Sequence, residues 1–253
     1  MTQDLSSIGM AFPRWQDAVE QAISSNRLGV VGEVRGGQLV AAVDSSGARL
    51  TVLAVEPFAT FAGFDGATEA TAHVQMLNDV LALCDVVTDD GDPIATVTCN
   101  LAQGPLIVDE PVFNFERINL SALGVDVAFF DDTDAYTSAT GGAVGVFASV
   151  GAGVVTRGDG SQSPTAAANL VLEVKDAHYR FNTMTDQRFV HLDVVAPFPL
   201  DVVVSDMAEL PKPGSIIAGT FTLSGSIIAP AGCGDSCGSG GCACGSGGCG
   251  SHG

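Results

Sequence analysis

Five cysteines and a histidine crowd the last stretch of the chain: Cys233, Cys237, Cys242, Cys244 and Cys249, with His252 just beyond. Thiolates are soft ligands that select zinc or Cu(I), and imidazole is compatible with both metals. The spacings are Cys233-x3-Cys237, Cys242-x-Cys244 and Cys249-x2-His252. Structural zinc sites use two C-x2-4-C knuckles around a foldable span, whereas this stretch has one such pair and one CxC. The residues between are Gly, Ser, one Ala and one Asp, so the segment cannot build an apolar core of its own. Metal binding would itself have to order it. Residues 231–253 are therefore expected to form a disordered, thiol-rich tail.

In its residue types this tail looks like a metal-buffering tail, or the Cys-rich tails of some metallochaperones, more than a zinc finger. It also resembles the Gly/Ser/Cys core peptides of thiazole- and oxazole-modified microcins, which would make Cys and Ser substrates for cyclisation. A flexible and functionally silent low-complexity tail is the third reading. Gly234-Asp235-Ser236-Cys237-Gly238 matches G-x-S-x-G and looks like the GDSGG run of serine proteases. That motif needs a strained elbow and a held His and Asp, which a glycine matrix does not supply.

The remaining chain must carry this tail, and its composition narrows what it is. At 253 residues with 46% hydrophobic residues, the chain is long enough for a real core and too apolar for a disordered body. Net charge is −19, and the only lysines are Lys175 and Lys212. Nucleic acid and anionic membranes need clustered basic residues, so neither is an expected partner. No apolar run approaches the roughly 18 residues that span a bilayer. The first ten residues lack a basic n-region and an apolar h-region, so a soluble, cytoplasmic protein with reduced thiols is expected.

Taken in order, Phe12 to Ser25 reads as a helix, with Trp15 expected to anchor it on a sheet. From Leu28 onward short β-prone runs alternate with turns at Gly36-Gly37 and Ser45-Ser46-Gly47. Further runs cover Ala70 to Leu77, Val80 to Thr88 and Ile94 to Leu101. Cys84 and Cys99 lie inside two of them and read as buried hydrophobes. Residues 105–143 are acid-rich and read as a connector with one or two strands. A second β region runs from Asn169 to Ile228.

The two β regions resemble each other. ARLTVLAV at 48–55 is like ANLVLEVK at 168–175, and the run from His73 is like the run from His191 at a nearly constant offset. A duplication would make His73 and His191 equivalent, a pair able to bind metal with nearby Asp; His178 has no obvious partner. The Asp clusters at 89–92 and 131–134 offer oxygens but do not fit an EF-hand, and turn chemistry explains both. Arg157-Gly158-Asp159 is read as a chance tripeptide.

The expected fold is mainly β: an N-terminal helix (1–27), a β domain (28–104), the acidic connector (105–143), a second β domain (144–230) and the tail (231–253). The expected function is non-enzymatic binding of Zn²⁺ or Cu(I) by the tail. The alternatives are a protein-interaction or assembly module with an incidental tail, and a tail that is a modification substrate.

Overall fold

The computed structural model describes residues 3–228 of the chain. A short helix α1 (Gln3–Ser6) precedes α2 (Trp15–Ser24), and four strands follow: β1 (Leu28–Val34), β2 (Gly37–Val43), β3 (Ala48–Leu53) and β4 (Ala59–Phe64). These form an antiparallel sheet in the order β1-β2-β3-β4. The β1–β2 turn places Arg35 and Gly36 at φ 49° and 80°, the left-handed pair that a two-residue hairpin requires. Helix α2 packs through Ala18 and Ala22, whose small side chains allow close approach. Trp15 is therefore not the expected anchor; it is nearly half exposed beside Phe58 and Phe61.

The remaining strands of the described chain form one sheet that closes on itself twice. Its elements are β5 (Ala70–Met76), β6 (Leu81–Val87), β7 (Pro93–Leu101), α3 (Gly104–Ile107), β8 (Phe113–Phe130), α4 (Thr133–Thr140), β9 (Val146–Ser149), α5 (Val150–Arg157), β10 (Ala167–Asn182), β11 (Gln187–Val195), β12 (Asp201–Ser205) and β13 (Ile216–Ile227). Strands β8-β5-β6-β7-β13 form a ring closed by the β8–β13 ladder. Strands β13-β10-β11-β12-β8 form a second ring closed by the same ladder. Each ring contains one parallel contact: Ser224 and Gly225 of β13 against Asn100 and Leu101 of β7, and Asp201 to Val203 of β12 against Ser121 to Leu123 of β8. Closure removes free edges that would otherwise recruit another chain.

The connectivity of β5–β8 is thus repeated in β10–β13, with β5 matching β10 and β6 matching β11. The expected residue pairing was wrong by one strand. His73 lies on β5 and His191 on β11, while residues 48–53 belong to β3 in the separate four-stranded sheet. Alternating strands share a period of two, so a slip by a whole strand preserves the apolar pattern. The acid-rich 105–143 segment holds β8, the strand that both rings share. Seven consecutive residues, Ile118 to Gly124, are buried, because both of its faces are covered.

Side chains from both rings merge into one core that includes Val74, Val97, Leu120, Leu172, Leu192 and Leu223. A second cluster, with Ile8, Met10, Leu50, Phe64, Phe189 and Val203, glues the helices and the four-stranded sheet onto the outside of β11 and β12.

The shared ladder carries a bulge where Thr220 faces Asp126 and Phe221 faces Gly124, leaving Val125 as the extra residue. Beside it Gly219 sits at φ 153°, and a Cβ there would lie 2.0 Å from the Asp126 carbonyl oxygen. Gly219→Ala should therefore cost about 2–4 kcal/mol, from clash plus strain. Gly214, at φ 89° with open space around it, is the control and should cost about 1–2 kcal/mol. Urea unfolding of both variants checks this; equal losses would remove the ladder from its special position.

Candidate functional site

The six sequence-expected metal ligands, Cys233, Cys237, Cys242, Cys244, Cys249 and His252, lie outside the described residues, as does the 234–238 run. The two remaining cysteines are placed. Cys84 on β6 and Cys99 on β7 are fully buried on neighbouring strands, with their Sγ atoms 3.6 Å apart. The hydrogen bond to Cys99 and burial push the Cys84 thiol well above its ordinary range. A thiol held protonated in an apolar core is neither nucleophile nor metal ligand.

The histidines separate rather than converge. His73 accepts a long hydrogen bond from the Phe115 amide at its Nδ1 and packs edge-on against the Phe115 ring. His191 is buried, stacks on Phe64 at 5.2 Å and donates from Nε2 to Asp201 Oδ1 at 2.8 Å. Asp201 is almost fully buried where β12 closes the second ring. It also accepts from the Thr68 amide and hydroxyl and from Asn119 Nδ2. Burial alone would raise this carboxyl, but the hydrogen bonds from His191 and Thr68 outweigh it and hold it below the usual carboxylate range. This network has the logic of a structural clamp, with His191 Nε2, Thr68 and Asn119 Nδ2 all turned onto one carboxylate.

Among the described residues, one surface cluster can hold a metal ion. Asp176 faces Asp193 across β10 and β11, and His178 Nε2 lies 3.2 Å from Asp176 Oδ2. One ligand atom from each of Asp176, His178 and Asp193 falls within 4.8 Å of the others. Two carboxylates and an imidazole suit a harder, more weakly held cation than thiolates do. All three residues are exposed.

In the 131–134 turn and the 157–159 tripeptide the carboxylates cap backbone amides. Asp132 caps α4 by accepting from the Ala135 amide at 2.8 Å, and Asp159 of the Arg-Gly-Asp tripeptide accepts from Ser161.

Sequence reasoning missed a cleft of about 410 Å³ between the four-stranded sheet and the shared β8–β13 ladder. Arg49, Thr51, Asp65, Glu69 and Asn119 line it, together with Ile228 at the end of the described chain. Arg49 is buried and paired with Asp65; Ser226 also donates to Asp65. The one signal in the sequence was an arginine inside the apolar run ARLTVL, which demands a buried partner.

No family model, curated protein or solved structure matches this chain.

Two outcomes follow from this geometry. Asp201 has a depressed carboxyl in the folded state, so its contribution is present above the unfolded value near 3.9 and lost as pH falls through the folded one. Asp201→Asn should cost about 2–4 kcal/mol at pH 7 and flatten the loss of stability on acidification. Urea titrations at pH 7 and pH 3 measure both; an unchanged acid slope would remove Asp201 as its source. Separately, with the five tail cysteines replaced by Ser, Ellman's reagent should find no reactive thiol in native protein and both Cys84 and Cys99 after denaturation. Rapid labelling of the native form would contradict the sealed pair.

Proposed function

We propose that this chain is a non-enzymatic metal-handling protein, in which the Cys-rich 231–253 segment supplies thiolate ligands for Zn²⁺ or Cu(I) and the double-ring body carries it. The partition of thiols is the observation that carries the reading. The two body cysteines are sealed in an apolar core, while five lie together in a stretch otherwise made of small residues and one Asp, with a histidine beside them. Thiol chemistry is thereby concentrated at one end of the chain. The high negative charge adds to this by raising the local cation concentration.

The ligand set fixes what binding looks like. Coordination requires thiolates, so metal uptake releases protons and weakens as pH falls toward 5. Five thiols and one imidazole complete one tetrahedral site, giving about one Zn²⁺ per chain, or several Cu(I) ions. Ordering the segment costs on the order of 1–2 kcal/mol per residue, which favours buffering over tight, geometry-selective capture.

Zinc and Cu(I) titrations of the reduced full chain at pH 7 test the proposal. Replacing Cys233, Cys237, Cys242, Cys244 and Cys249 with Ser should abolish the binding, and Cys84→Ala with Cys99→Ala should leave its stoichiometry unchanged. Retained stoichiometry in the five-fold variant, or affinity no better than that of free thiols, overturns it.

A further inference from the structure

The cleft between the four-stranded sheet and the β8–β13 ladder is lined by residues that carry polar groups the protein itself leaves unused. Among the described residues, four buried side-chain polar atoms have no hydrogen-bond partner: Arg49 Nε, Thr51 Oγ1, Asn119 Oδ1 and His191 Nδ1. The first three belong to residues that line this one cleft. All three residues are at least nine-tenths buried, at 4%, 1% and 4% exposure. A buried polar group without a partner is costly, and three around one cavity mark a place where something else completes them.

From these residues we infer that the cleft binds a small neutral molecule presenting an amide, such as a short uncharged peptide. The charges on its walls are already matched: Arg49 is paired with Asp65, and Glu69 with Arg117. A ligand with net charge would unbalance one of those pairs, and an anion would also oppose the overall charge of −19. The unused groups call for two complementary functions in one molecule. Arg49 Nε–H and the Thr51 hydroxyl, two residues apart on the same face of β3, can both donate to a carbonyl oxygen. Asn119 Oδ1 on β8 can only accept, and its amide nitrogen already donates to the Thr68 carbonyl and to Asp201. An amide carries the matching acceptor and donor a few ångströms apart. Val31, Val43 and Ile227 give the cleft apolar walls, and about 410 Å³ lies within the range of small-ligand pockets.

The test uses the full-length protein and the neutral probe acetyl-Gly-Gly-amide, followed by 1H–15N NMR at the Arg49 Nε–H and Asn119 side-chain amide signals. A saturable shift at both signals is expected, with a Kd of about 1 mM for a probe of this size. Thr51→Val, which keeps the shape and removes the hydroxyl, should weaken binding by roughly tenfold. Ala41→Leu, which fills the cleft from β2, should abolish it. Absence of saturation by tens of millimolar would mean that water completes these groups, and overturns the inference. Equal shifts with acetate or inorganic phosphate overturn the neutral amide as the ligand class, and full-strength binding to both variants places it elsewhere.

Discussion

Everything in the body depends on the antiparallel ladder between β8 and β13. Twelve residue pairs join the two strands, from Ile216 against Phe130 to Ile227 against Ile118. Each strand belongs to both rings, and their shared ladder closes both. Neither ring can shut without the ladder, so losing its register exposes both interiors together. A buried carboxylate pins the second closure: Asp201 faces Ser121 of β8 and gathers hydrogen bonds from Thr68, Asn119 and His191. The desolvation it suffers is offset only while all of these donors are in place, which ties β11, β12, β8 and the 65–69 loop into one cooperative unit.

That arrangement separates structure from chemistry. The groups that read as reactive in a sequence are, in the body, spent on holding strands. Cys84 and Cys99 fill core volume, and His191 holds Asp201. Among the described residues, what remains for binding lies at the margins: the exposed Asp176, His178 and Asp193 group and the cleft beside the shared ladder. Ile228, the last described residue, lines that cleft.

Much of the mainly β fold was legible because its strands alternate apolar and polar residues between clear turn signals. Helix α2 and strands β5 to β7 fall close to their expected places, β1 to β3 are divided near the two expected turns, and β10 to β13 fill the second expected β region. The misses have physical causes. Strand β4 reads ATFAGF, with little β-branched content, and is held by pairing with β3 rather than by propensity. Helix α5 reads VGAGVVTR; it forms because Ser149 caps its start and Gly158, in the left-handed region, ends it. The false equivalence of His73 and His191 came from periodicity alone, which says where strands are and not which ones pair. Asp201 and Asn119 carried no local signal, since their partners lie 10 to 133 and 51 to 82 residues away in sequence.

The central claim is that the chain's available thiols act together as one metal-binding set. Native mass spectrometry of the reduced, full-length protein isolated from its own source tests it most directly. The account predicts a bound zinc or copper mass that is lost on acidification, leaving the unmodified apo mass. A protein isolated metal-free, or one whose Cys and Ser carry losses of about 20 Da each from cyclisation, would contradict it.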